Sequence, residues 1–332
     1  MTDKAKLLVL ELWGLGDLAI ASQFISKASL THEVTVLAKP YAKDLRDLLW
    51  PHAEVITFHA PWTAFHGKYQ LTRWPWRSMR QLLKQLRDHH FDIAVSGRWD
   101  PRDHALMWMT RAKRRVGFKR RGSQCLLTDP IFMHPDQSHR FNQWVAIGKT
   151  IGINLDPYEP KVHQGKQLPK PRLLRCVVHT GAAQAVRQWP LDRFQTLIKW
   201  LEERSVEVDI LCDPEQQPLW ASHGRNARVC KSVSELAQVL RGAEAFIGND
   251  SGPGHLAAAM NVATLTVFGP QRTDWFRPAH PKGEVIEGGD CPYKPCFDAC
   301  RFDVPHCLDA VTSASAVEKL DGFVKAHFEL PS

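Results

Sequence analysis

Two doubly wound α/β domains, each a parallel sheet with helices on both faces, are predicted by three features of this sequence. The chain has 332 residues, about two domains' worth at roughly 150 residues each. Short apolar runs alternate with stretches of helical periodicity, which is the pattern of successive βα units. Between about Ile153 and Arg175 the alternation lapses, and Pro157, Pro160, Pro169 and Pro171 fall there among Lys, Gln and Gly. That stretch reads as a linker. The expected boundaries are 1–155, a linker over 156–174, and 175–332, with packing of the last helix back on the first domain left as an option.

The elements follow in order. Lys6–Leu12 is a short apolar run ending in a Gly-rich turn, which reads as a buried strand, and a helix follows from about Asp17. Glu33–Ala38 alternates as the next strand. Met79, Leu82, Leu83 and Leu86 recur at i, i+3, i+4, i+7, one face of an amphipathic helix. Asp92–Ser96 is strand-like and Asp103–Arg111 helical. Beyond the linker, Arg175–Thr180 reads as a strand, and Phe194, Leu197, Ile198 and Leu201 form a second helical stripe. Val206–Cys212 is a strand, Val233–Ala243 a helix, Ala245–Gly248 a strand, Pro253–Met260 a turn and helix, and Ala263–Phe268 a strand. The last helix is expected near Ser315, where Ser315 and Glu318 have capping-box spacing. It should carry Val317, Leu320, Val324 and Phe328 inward.

Composition excludes several classes. Gly and Pro number 20 and 22, too few for a collagen-like or disordered chain. No apolar stretch approaches the roughly 18–20 residues of a membrane span. Glu11 and Asp17 interrupt the apolar start, so it makes a poor signal-peptide core. The net charge of +8 is uneven: residues 1–160 hold 23 Lys and Arg against 15 Asp and Glu, and the remainder balances at 20 against 20. The two halves are therefore expected to meet different partners. Of eight Cys, four are isolated, the usage of reduced buried thiols.

In doubly wound sheets ligands bind beyond the carboxyl ends of the strands, and the motifs fall there. The run from Gly248 through Asp250, Ser251, Gly252, Pro253 and Gly254 to His255 leaves a strand, turns through glycines and enters a helix. Free N–H groups at such a helix start favour an anion. A carboxylate at Asp250 repels phosphate and suits sugar hydroxyls instead. An N-cap on an ordinary helix is the plainer reading of each residue singly. Gly14-Leu15-Gly16-Asp17 lets the backbone approach a ligand and sets a carboxylate at a helix start, either a general base or a simple cap. It is not the full dinucleotide fingerprint, which disfavours a nicotinamide-dependent dehydrogenase. Thr180-Gly181-Ala182 follows another strand. Arg187 suits a diphosphate because its fork binds oxygens in pairs, although it also reads as a surface Arg. Glu215 suits a ribose diol, or a solvated turn.

These residues, in this order along nearly the whole chain, resemble the lipopolysaccharide heptosyltransferases, glycosyltransferases of the two-Rossmann GT-B fold. The resemblance rests on the Gly14–Asp17 turn, the His179–Pro190 block, the Asp213–Glu215 turn, the Asp250–His255 loop and the Cys-containing tail ending Cys307-Leu308. It implies an inverting, metal-independent transfer of heptose from ADP-heptose to a hydroxyl of the lipopolysaccharide inner core. By that resemblance Asp17 is the general base. The donor is held by Thr180, Gly181, Ala182, Arg187, Glu215, Lys231, Val233, Asp250, Ser251, Gly252 and His255, and no cofactor is needed. Arg187 stands where the family usually has Lys. Ala182 stands where some members have Thr, and Pro253 and Gly254 replace Leu and Ala. These departures leave the donor sugar open.

The basic half is read as the acceptor side, an anionic glycolipid of lipid A–core type at the inner face of the cytoplasmic membrane. Gly14, Gly16, Arg73, Arg77, Arg98 and Arg120 are assigned to the acceptor. Trp62, Phe65, His66, Lys68, Trp74, Trp76 and Arg80 cluster with them, and Arg111 to Arg121 forms a second basic group. Solvated helix faces would account for some of these charges, and no nucleic-acid motif accompanies them. Cys291, Cys296, Cys300 and Cys307 lack the spacing of a zinc ribbon and are read as reduced thiols near the donor site. A relative using another nucleotide sugar or another glycan acceptor, and a non-catalytic nucleotide- or glycan-binding relative, are the competing readings.

Overall fold

The computed structural model describes residues 4–64, 69–132, 138–158 and 171–331. Phe65, His66, Lys68, Pro160 and Pro169 lie outside the described residues. The chain divides into two compact units, Met1–Tyr158 and Glu159–Ser332.

The first unit is a six-stranded parallel sheet in the order β3-β2-β1-β4-β5-β6. Its strands are β1 (Lys6–Glu11), β2 (Glu33–Ala38), β3 (Glu54–Thr57), β4 (Ile93–Ser96), β5 (Arg114–Phe118) and β6 (Asp129–Ile131). Its helices are α1 (Leu15–Thr31), α2 (Ala42–Leu49), α3 (Trp76–Asp88), α4 (Pro101–Met109) and α5 (Arg140–Ile151). Leu7 to Leu10 are wholly buried because helices cover both faces of a parallel sheet. Helix α3 closes one face with Met79, Leu82 and Leu86, the predicted stripe, with Leu83 partly buried beside it. Asp100 caps α4 by accepting the Arg102 N–H at 2.9 Å. The strands β3, β5 and β6 carry no legible signal in the sequence. Each is short, and β5 begins with two arginines that mask its periodicity.

The second unit is a five-stranded parallel sheet in the order β11-β10-β9-β7-β8. It comprises β7 (Arg175–His179), α6 (Leu191–Glu202), β8 (Glu207–Leu211), α7 (Gln217–Ser222), α8 (Val233–Arg241), β9 (Ala245–Asn249), α9 (Gly252–Ala259), β10 (Ala263–Phe268), α10 (Thr273–Phe276), β11 (Gly283–Glu287), α11 (His306–Asp309) and α12 (Ser313–His327). Phe194, Leu197, Ile198 and Leu201 of α6 are fully buried in its core, each worth about 1.5–3 kcal/mol of transfer free energy. Helix α12 joins this same core through Leu320, Phe323 and Val324. Its cap is Thr312, whose hydroxyl accepts the Ser315 N–H at 3.2 Å. Ser315 is therefore the third residue of the helix and Glu318 lies in its second turn, so the capping box expected there is replaced by the Thr312 cap.

Both sheets have a switch point where successive connections leave in opposite directions. In the first it lies between β1 and β4, with Leu10 paired to Ser96. In the second it lies between β7 and β9, with His179 paired to Gly248. Residues just past these ends are brought side by side, and in open α/β sheets that crevice is where ligands bind.

Candidate active site

Past the first switch point, Gly14 starts α1 and its N–H donates to Asp17 Oδ2 at 3.2 Å. Gly14, Gly16 and Asp17 are half-buried. The carboxylate of Asp17 lies against two guanidinium groups. Arg98, just beyond β4, is ion-paired through Nη2 to Oδ2, and Arg140 Nη2 stands 3.8 Å from Oδ1. Gly97 has no side chain because a Cβ there would sit 2.8 Å from the buried ring of Trp144. That close approach lets the chain carry Arg98 to Asp17.

Glu11, the last residue of β1, is buried, and its Oε1 is 3.9 Å from Arg98 Nε. Burial pushes its carboxyl up to about 8, opposed by Arg98 and reinforced by the Asp17 charge. Burial thus favours the protonated form of Glu11. Burial, and then repulsion from Arg98, brings the Arg140 guanidinium down to about 10. Asp103 on α4 is fully buried, and burial raises it to about 6. It accepts the indole N–H groups of Trp13 at 3.2 Å and Trp62 at 2.9 Å. Arg98 lies over the Trp13 ring at 4.9 Å. Glu11, Asp103 and Arg140 were not singled out in the sequence. Two of them sit inside elements that read as core, and their role appears only once strands pair.

The remaining acceptor-side candidates scatter. Arg73 and Arg77 are exposed at the entrance to α3, and Arg120 is exposed with its Nη1 donating to the Trp99 carbonyl at 2.7 Å. The Arg111–Arg121 group is corrected in part. Arg114 pairs with Asp129 at 2.8 Å, and Arg115 donates to the carbonyls of Leu126 and Ala112 at 2.8 Å each. Both are occupied in holding β5 and its flanks.

Past the second switch point, Arg187 meets two carboxylates. Its Nε and Nη2 each reach Asp298 at 2.7 Å, and Nη1 reaches Asp250 at 3.3 Å. Asp250 is buried, and burial lifts it to about 6, against the pull of Arg187 and with the repulsion of Asp298. Asp298 belongs to the Cys-rich loop and has φ of 68°, a conformation that Asp tolerates better than most residues. No pattern in the sequence pointed to it. Ser251 caps α9 in extended conformation, its hydroxyl donating to the Asn249 carbonyl at 3.2 Å. Gly252 opens that helix and His255 is buried one turn in.

Thr180 is a correction. Its side chain is fully buried, with the hydroxyl 2.9 Å from Gln216 Oε1 and accepting the Trp220 indole N–H at 3.1 Å. Its carbonyl accepts the Asn249 and Gln216 amides. Every polar atom is used inside the fold, so Thr180 ties β7 to β9 and leaves nothing for a ligand. Gly181 and Ala182 are buried beside it, and the carboxyl of Asp213 fills the space a Gly181 side chain would take. Glu215 is exposed on the turn after β8. Lys231 is exposed and its backbone N–H donates to Glu235 at 2.7 Å, with Val233 at the start of α8.

Cys291, Cys296, Cys300 and Cys307 are free thiols that line one small cavity with Tyr293 and Phe302. Among the described residues no group of three or more His, Cys, Asp and Glu is arranged to hold a metal ion.

Two parallel-sheet Rossmann-like units, each with polar groups gathered at its switch point, define the GT-B class of fold. The solved structure of ADP-heptose lps heptosyltransferase II from E. coli is similar over 97% of this chain and 99% of that one, with a TM-score of 0.70 at 17% identity. A glycosyl transferase family 9 structure from Veillonella parvula is similar over 98% and 99%, with a TM-score of 0.77 at 14% identity. The family described as glycosyltransferase family 9 (heptosyltransferase) matches residues 79–304. The chain belongs to that family. Lipopolysaccharide heptosyltransferase 1 of Pseudomonas aeruginosa is 34% identical over 123 residues, 35% of this chain and 34% of that protein. The matched stretch thus spans about a third of the curated relative's length.

Proposed function

We propose that this protein is an inverting, metal-independent glycosyltransferase that moves heptose from ADP-heptose to a hydroxyl of an inner-core lipopolysaccharide acceptor. The observation that carries the reading is the place of Asp17, a half-buried carboxylate held by Arg98 and Arg140 at the switch point of the first sheet. The acceptor hydroxyl attacks the anomeric carbon on the face opposite ADP. The bond to the phosphate oxygen breaks, ADP leaves with the bonding electrons, and the hydroxyl proton passes to Asp17. Charge growing on the leaving diphosphate is met by Arg187 and by the N-terminus of α9, prearranged groups of the kind that can stand in for a metal. Asp250, Ser251 and Gly252 would orient the donor, and Glu215, Lys231 and Val233 the ribose and base. The acceptor would be an anionic glycolipid presented at the inner membrane face to a protein acting from the cytoplasm. Among the described residues no helix is long and apolar enough to cross a membrane.

The test is a mass measurement. The protein is incubated with ADP-heptose and a truncated core acceptor in the presence of EDTA. A gain of one heptose by mass is expected, with the inverted anomeric configuration read by NMR of the product. Turnover only with another nucleotide sugar would replace the donor, and dependence on added metal would overturn metal independence.

A further inference from the structure

We propose that the outer face of α3 is the surface on which this protein docks to an anionic lipid bilayer. The inference rests on the glycolipid reading of the acceptor and locates where the membrane lies. Helix α3 buries Met79, Leu82 and Leu86 in the first unit's core. On the face turned away, Arg77, Arg80, Lys84 and Arg87 follow at i, i+3, i+7 and i+10, all exposed, a single stripe about 15 Å long. Among the described residues no carboxylate forms an ion pair with any of the four. Beside the stripe, a groove of about 500 Å³ is lined by Arg80, Lys84, Arg87 and by Arg111 from the turn after α4, with Asp88 its one acid. Two separate segments therefore bring cations to one concave surface.

The charges are joined by apolar groups at one end. Tyr69, Leu71 and Trp76 are 77%, 55% and 47% exposed, and the Trp76 indole N–H donates to the Leu71 carbonyl at 2.9 Å, which fixes its ring. A basic helix face with aromatic and aliphatic side chains at its end fits the interfacial zone of a membrane, where rings enter the headgroup layer and cations meet lipid phosphates. Nucleic acid would use the cations and leave the apolar groups without a role.

The direction of α3 makes the placement useful. The chain leaves β3 at the carboxyl edge of the sheet and α3 runs back to the opposite edge, where β4 starts. Its N-terminal end is tied to the Asp17 edge by rings: Trp76 lies 5.5 Å from Trp74, Trp74 lies 5.7 Å from Trp62, and Trp62 donates to Asp103. A bilayer lying along α3 would hold its headgroups beside the edge where Asp17 waits.

Sedimentation of the full chain with vesicles tests this, with no sugar donor or acceptor present. Vesicles of phosphatidylcholine with roughly 30 mol % phosphatidylglycerol should carry the protein down, and the fraction bound should fall as salt screens the charges. Vesicles of phosphatidylcholine alone should not. K84E/R87E should lower the affinity by about tenfold or more. R111E, on the other wall of the groove, should lower it independently, so the surface is tested even if one variant folds poorly. K84E/R87E, which touches no residue of the acceptor reading, should keep wild-type turnover on a soluble, lipid-free core acceptor. Unchanged vesicle binding in both variants would overturn the proposal. So would equal binding to neutral vesicles, or binding to a single-stranded oligonucleotide with none to vesicles. Loss of transfer to the soluble acceptor by the wild type would instead strike the proposed function and leave the vesicle result standing.

Discussion

Arg187 grips Asp298 through two hydrogen bonds of 2.7 Å, Nε to Oδ1 and Nη2 to Oδ2, and turns its remaining nitrogen toward Asp250. The pair anchors the Cys-rich loop to the end of the second sheet. It also fixes the one guanidinium that the proposed mechanism sets against the donor diphosphate. Two-point pairing of this kind is both stronger and more directional than a single contact.

A double-mutant cycle over R187A, D298A and the combined variant should therefore give a coupling free energy of about 1–2 kcal/mol in denaturant unfolding. R187A should also weaken ADP binding by about tenfold or more in titration calorimetry. Additive single variants would remove the structural role of the pair. Unaltered nucleotide affinity would remove Arg187 from the donor site.

Asp17→Asn keeps the shape of the side chain and removes its capacity to take a proton. Donor binding should persist while turnover falls by roughly 10²–10⁴-fold. Turnover at the wild-type rate would exclude Asp17 as the base.

Glu11 gives a pH-dependent stability with a definite sign. Its folded-state value of about 8 stands above the ordinary 4.5 of a glutamate, so folding takes up a proton between those limits. The native state binds the extra proton, and this contribution to stability falls as pH rises from about 4.5 to about 8. Glu11→Gln is neutral at every pH and escapes the cost. Its advantage over the wild type should be small at pH 5 and grow to a few kcal/mol by about pH 8.5, read from urea unfolding. A gap that does not change with pH would show that Glu11 titrates normally.

Gly181→Ala would place a Cβ about 2.3 Å from the Asp213 carboxyl. The neighbouring chain is held by Thr180 and Gln216, so relief must come from Asp213 leaving its turn. The expected cost is about 1–3 kcal/mol, seen as a lower melting temperature. A melting temperature equal to the wild type would mean that the turn yields freely.

The helical stripes were legible in the sequence because periodicity reports burial directly: Phe194, Leu197, Ile198 and Leu201 are all inside. The glycine turns after β1 and β9 were legible because few other residues serve there. The short strands β3, β5 and β6 were not, since three to five residues carry too little pattern and β5 opens on Arg114 and Arg115. Among site residues, Thr180 misled. A hydroxyl next to a glycine turn reads as ligand-facing, whereas the chain turns it inward onto Gln216 and the Trp220 indole of α7.

The βα alternation, the two-unit length, the turn glycines, and the presence of Asp17, Arg187 and Asp250 just past strand ends are all written in the chain. These are local properties, written in periodicity and in the backbone freedom of particular residues. Tertiary structure alone decided that Arg98 and Arg140 would close on Asp17, that Glu11 would share Arg98, and that Asp298 would hold Arg187. Those partners are far apart in the chain: β1 beside β4 brings Arg98 to Asp17 and Glu11, the start of α5 adds Arg140, and the loop after β11 returns to bring Asp298 to Arg187. The basic charge of the first half was plain from composition. The fold divided it, giving Arg114 and Arg115 to the sheet and leaving the stripe on α3 open to solvent.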